Sequence, residues 1–309
     1  MRVRVAAGGH YRGVADWVAG LFRRELPVPA TTASRVLRAV IGATAVTAVL
    51  VEAVNLLSAD EPGFSLLVRS AWALLRVIGF LFLARAVRYG RQAAKPFGLV
   101  LAVTTVFAVA RLAEPRRGGF LPPAPVVAGF VLLTLECVAV VWLLYRSAAV
   151  EAHLSTRPVR RHIPGWVLTG RMAVLSYAPL TAVPFLVALG TVFSAGRRLP
   201  FPTTVVLLSG WAALAALLTF VAPFSSFLVV VGRAWARWVV GFLGVVALLL
   251  QPALCYALLG LDGLIRDGVP LAIIAVLGLW ALHRSRGLST WVRPNNGTPA
   301  TPASASARP

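Results

Sequence analysis

The stretch FSLLVRSAWALLRVIGFLFLARA, residues 64–86, decides the architecture of this chain. Rising about 1.5 Å per residue, a helix of this length spans about 34 Å, enough to cross a hydrocarbon core of about 30 Å. Its apolar residues surround the helix instead of forming the single stripe of a soluble amphipathic helix. Besides Arg85 at its end, two arginines interrupt it, Arg69 and Arg76, seven residues apart and so on one helical face.

Comparable runs recur at roughly 37–57, 96–112, 124–145, 172–193, 203–229, 238–259 and 268–283, of which 96–112 and 268–283 are short. Hydrophobic residues make up 59% of the 309 and charged residues only 13%, against about 25% charged in soluble domains. The pattern predicts an all-α polytopic membrane protein with about eight transmembrane helices.

The net charge of +20 comes almost wholly from arginine, Lys95 being the one lysine. The basic residues flank the spans and do not gather on one surface, which excludes nucleic acid as a partner. With both termini placed inside, 22 basic residues lie on the inner side and six, Arg111, Arg116, Arg117, Arg197, Arg198 and Arg266, in outer loops. That asymmetry predicts an N-in, C-in topology. Arginine over lysine, with abundant Ala, Val, Gly and Pro, is the usage of a high-GC bacterial genome. The expected location is therefore a cytoplasmic (inner) membrane.

Outside the spans, residues 11–26, YRGVADWVAGLFRREL, place Val14, Trp17, Val18, Leu21 and Phe22 at helical spacing. An interfacial helix against anionic headgroups of the cytoplasmic face is expected there. The tail from 294 is rich in Pro, Ala and Ser and is expected to be disordered.

The phrase YRSAAVEAHLSTRP (145–158) returns as HRSRGLSTWVRP (283–294), and SAWALL (70–75) as SGWAAL (209–214). Ser58-Ala59 matches Ser194-Ala195. These matches share offsets of 134–139 residues and fall at equivalent places relative to the spans. They point to two parallel four-helix repeats, over 35–158 and 159–293, related by an axis along the membrane normal.

Ionisable side chains within a bilayer are costly and are candidate functional groups. Four fall inside the spans: Glu52, Arg69, Arg76 and Glu136. Estimated depths pair Glu52 with Arg69 near the outer side and Glu136 with Arg76 near the middle, a polar cluster joining spans 1, 2 and 4. It reads either as a substrate, anion or proton site or as buried ion pairs fixing helix register. The second half has Leu208, Ala215 and Ala275 at the positions equivalent to Arg69, Arg76 and Glu136. It carries helix breakers instead: Pro179, Pro184, Pro223 and the pair Gln251-Pro252, which expose backbone carbonyls.

No cofactor or metal is expected. His10, His153 and His162 fall in inner segments and His283 at a span end, against a membrane-embedded bis-histidine haem. No P-loop, HExxH or GxSxG motif occurs. Cys137 and Cys255 read as apolar packing residues. Glu151, His153 and His162 share the longest inner loop, expected over 146–171. The leading functional expectation is a small-solute or ion transporter, or the membrane subunit of one. The competing class is a non-catalytic scaffold that binds a protein partner or forms a homo-oligomer, with an intramembrane enzyme third.

Overall fold

The computed structural model describes residues 28–57, 63–110, 124–155, 165–192, 198–230 and 233–284. The expected interfacial helix at 11–26, His10, His162 and the tail from 294 lie outside them. All regular structure among the described residues is helical. The chain runs through α1 (Thr32–Leu57), α2 (Phe64–Arg88), α3 (Ala94–Ala110), α4 (Ala124–Arg146) and the short α5 (Ala148–Ser155). It continues through α6 (Gly165–Val192), α7 (Phe201–Ala216), a π-helical turn (Leu217–Val221), α8 (Ala222–Val230), α9 (Ala234–Gly263), a second π-helical turn (Leu264–Gly268) and α10 (Val269–Arg284).

Six helical runs are long and apolar enough to cross a membrane: 32–57, 64–88, 124–146, 165–192, 201–229 and 235–284. The chain is thus a multi-pass integral membrane protein by its helices. The α3 helix, with 17 residues, is shorter than any of these six runs.

The last run does not extend as one rod of 50 residues. Gly260 breaks it with φ +78°, a left-handed conformation that only glycine adopts without cost. A Cβ there would also collide with the guanidinium of Arg198. Beyond the break α10 folds back against α9, with Gly241 against Leu282 and Gly244 against Leu279, an antiparallel register.

The loops expected around two of the helices are smaller than the sequence implied. Residues 148–155 of the expected 146–171 loop form α5, and α6 begins at Gly165, seven residues before the predicted span. Residues 260–267, expected as an outer loop, are largely helical and include the second π turn.

Two hydrophobic clusters divide the molecule. Leu37, Ile41, Phe80, Leu83, Val140, Leu144 and Leu154 bring α1, α2, α4 and α5 together around α3. Tyr177, Leu180, Trp211, Leu218, Leu243, Leu271 and Ile274 hold α6 to α10. The two meet where α2 and α3 pack on α6, and where α3 also touches the second π turn and α10. Small residues permit the tightest approaches: an alanine at Gly278 would place its Cβ 2.7 Å from the Tyr177 hydroxyl.

Candidate functional site: a charged layer between the halves

Helix α2 sorts its residues by face. Ala73, Arg76, Phe80, Leu83 and Val87 are covered by protein, whereas Leu74, Leu75, Ile78, Leu81 and Phe82 point outward. Their outward apolar face fits a lipid surround, and it leaves Arg76, 6% exposed, aimed at the interior. An arginine so placed must find polar company, because an unpaired buried charge costs several kcal/mol (about 3–5 when a partner is removed).

That company is not what depth alone predicted. Arg76 Nη1 donates to the Thr104 carbonyl of α3 at 3.2 Å. Its electrostatic neighbours are Glu52 on α1 and, from the second π turn, Arg266 and Asp267. Among the described residues it forms no ion pair with Glu136. The Glu136 Oε1 instead accepts the Thr47 hydroxyl at 3.0 Å, and its Oε2 is buried without a hydrogen bond. Glu52 is likewise not the partner of Arg69. Its Oε1 accepts the Ser70 hydroxyl at 2.5 Å and the Asn55 amide at 3.4 Å. Arg69 reaches across to Asp262 at 3.8 Å.

Depth is one coordinate. The rotation of each helix about its own axis is another, and it turns Glu136 toward α1 and Arg69 toward α9. The resulting layer joins Glu52, Arg69 and Arg76 of the first half to Asp262, Arg266 and Asp267 of the second, with Glu136 to one side. Asp267 feels Arg266, Arg69, Asp262 and Arg76. Two arginines and one carboxylate from the first half leave it with +1; two carboxylates and one arginine from the second leave −1.

The three residues from the second half were not foreseen as site residues. The segment GLDGLIRDGVP, with its glycines and charges, reads as a turn outside the membrane. A signal was present: Asp262 and Arg266 are spaced i, i+4, the spacing of an ion pair along a helix.

The helix breakers form a second, smaller centre. Pro184 lies within α6 and has no N–H to give to the carbonyl four residues earlier, that of Leu180. Gln251 Nε2 donates to that same carbonyl at 3.5 Å. Its Oε1 accepts the indole N–H of Trp211 at 2.9 Å, and its Nε2 also lies 3.6 Å from Cys255 Sγ. Phe185 meets the Trp211 ring edge to face, with centroids 6.2 Å apart. One buried amide therefore ties α6, α7 and α9 through a bond that a proline left open. Pro179 lies in the same helix and Pro252 follows Gln251. Pro223 stands just after the first π turn, where the Ala222 N–H donates five residues back to Leu217. That wider turn carries the chain into Pro223.

On the inner-loop candidates, the structure separates Glu151 from His153. Glu151 is exposed and pairs with Lys95 at 3.0 Å, while His153 is buried with Nε2 2.9 Å from the Val87 carbonyl. Among the described residues no group of three or more His, Cys, Asp or Glu is placed to hold a metal ion. Comparison of the chain with protein-family models, with curated proteins and with solved structures found no match.

Proposed function

We propose that this chain is a carrier for a small polar solute or an ion, or the membrane subunit of one, with its site in the charged layer between the halves. The observation that carries the reading is the broken helix at 260–268. A left-handed glycine and a π turn set Asp262, Arg266 and Asp267 against Arg69 and Arg76 of the other half. Interrupted helices meeting at the interface of two halves are how many carriers build a site that can rearrange. Ion pairs that a solute can replace give such an interface two states of similar energy. Glu52 and Ser70 extend the layer toward α1.

The same reading takes the 235–284 run as two crossings and α3 as a short one, which makes eight in all. The arginine distribution then sets both termini inside, and the two hydrophobic clusters correspond to two four-helix halves that arose by duplication.

The test is water access to the layer. Ser70→Cys is introduced into a protein whose own cysteines are replaced by alanine, and membranes are exposed to a membrane-impermeant thiol reagent from each side. A carrier site reacts from at least one side, and labelling changes when a transported solute is present. A layer that reacts from neither side, in a chain that co-purifies with a protein partner, overturns the reading in favour of a scaffold.

A further inference from the structure

The opposite end of α2 carries a second concentration of charge that the interface layer does not use. Arg88 lies 12 residues beyond Arg76, about 18 Å along the helix. A cavity opens there, lined by Val28, Pro29, Ala30, Ser34, Arg38, Arg88 and His153. Its walls come from the start of α1, the last turn of α2 and the short α5. No carboxylate lines it, and the nearby Glu151 is engaged with Lys95. Neither Arg38 nor Arg88 pairs with a carboxylate among the described residues.

The buried wall is the informative one. His153 is 3% exposed, and its Nε2 faces the Val87 carbonyl at 2.9 Å. A carbonyl only accepts, so Nε2 bears the proton and donates. The other ring nitrogen, Nδ1, is buried and has no hydrogen-bond partner. The ring as a whole closes the inner wall of the cavity and fixes the end of α2 to α5. Ser34 Oγ already donates to the Thr31 carbonyl at 2.9 Å and can offer the cavity only an acceptor. The first turn of α1 adds the positive end of a 26-residue helix.

We infer that this cavity binds a phosphate group, held by the Arg38 and Arg88 guanidiniums against a wall closed by His153. Two guanidiniums match the several oxygens of a tetrahedral anion better than a single carboxylate. The Ser34 oxygen, an acceptor, matches a P–OH or a headgroup hydroxyl. The phosphate could be supplied by an anionic phospholipid headgroup or by free hydrogen phosphate; the recognising chemistry is the same.

The test uses the full chain in neutral detergent and reads its melting temperature. One arm compares sodium phosphate with sodium chloride at equal ionic strength. The other compares micelles doped with phosphatidylglycerol against micelles doped with phosphatidylcholine. The expected result is a rise of several degrees in one arm that is lost in Arg38→Gln/Arg88→Gln. A response to inorganic phosphate identifies a free-phosphate site, and a response to phosphatidylglycerol alone identifies a lipid site. No rise over chloride or phosphatidylcholine overturns the proposal, as does an undiminished rise in the double variant. Should the double variant not fold, the exposed Arg88→Gln alone is scored by native mass spectrometry for retained phosphatidylglycerol and bound phosphate. Retention equal to wild type then counts against the site. None of these readouts depends on transport.

Discussion

The two halves bury their polarity by different means. In the first, charged and hydroxyl side chains do it: Glu52 with Ser70, Glu136 with Thr47, Arg76 with a carbonyl of α3. In the second, apart from the three charged side chains that the π turn brings to the shared layer, the backbone does it, through a proline-freed carbonyl, two π turns and a left-handed glycine, with Gln251 and Trp211 answering from neighbouring helices. Side-chain charges fix which helices meet but tolerate little rearrangement, because every lost partner leaves a charge behind. Backbone breaks leave dipoles, not charges, and a dipole can exchange one partner for another at lower cost. The second half is accordingly the one expected to move, and the first the one expected to hold still.

Four perturbations break or sharpen that contrast. The largest effect is expected from Arg76→Leu, which removes the cation that both Glu52 and Asp267 act on. A loss of about 3–5 kcal/mol, read as reversible unfolding in mixed micelles, is expected. A loss below about 1 kcal/mol would show that the layer is wet, and the first half more permissive than described.

Next is the close packing of the second half. Gly278→Ala sets a methyl 2.7 Å from the Tyr177 hydroxyl and should cost about 1–3 kcal/mol. Tyr177→Phe removes that oxygen, so the double variant should regain most of the loss in the same unfolding assay. Additive effects would place the strain elsewhere.

Gln251→Leu removes the partners of both the Trp211 N–H and the Leu180 carbonyl. Hydrogen bonds between membrane helices average about 0.6 kcal/mol and reach about 1.7, so a loss of about 1–2 kcal/mol is expected. Pro184→Ala restores a backbone donor to that carbonyl and should soften the loss in the double variant. If Pro184→Ala makes no difference, the amide does not act through the broken helix.

The smallest effect is a null one with a sharp meaning. In a cycle of Arg76→Leu and Glu136→Leu, the coupling energy should fall below about 0.5 kcal/mol, the additivity of sites that share no contact. A coupling of several kcal/mol would restore the direct pairing inferred from depth and move the charged layer back inside the first half.

How much of this was legible in the sequence depends on what each feature needs. The helices needed only length and all-round apolarity, and their bounds from the sequence lie within a few residues for most. Glu52, Arg69, Arg76 and Glu136 stood out because charge is rare in such runs. Their partners did not, since pairing depends on helix rotation and on which helix lies beside which. The GLDGLIRDG segment hid Asp262, Arg266 and Asp267, because the residues that mark a surface turn are also those that let a helix break and re-enter. Gln251 was visible only as the neighbour of Pro252. Its bond lies 71 residues away, at a carbonyl that the rule for proline names but that no local pattern links to a glutamine.

The hairpin formed by α9 and α10 has a consequence for how the protein is made. Ribosomal synthesis delivers the first half to the bilayer well before residues 262–267 exist, so Arg69 and Arg76 enter lipid while their later carboxylates are still untranslated. The final hairpin brings two carboxylates and an arginine together, and inserting it as a unit carries those charges in with the arginine offsetting one of the carboxylates. The contact of Arg69 with Asp262 therefore forms only at the last insertion step. Until then the two halves are not joined through it, a state a quality-control protease or an insertase could recognise.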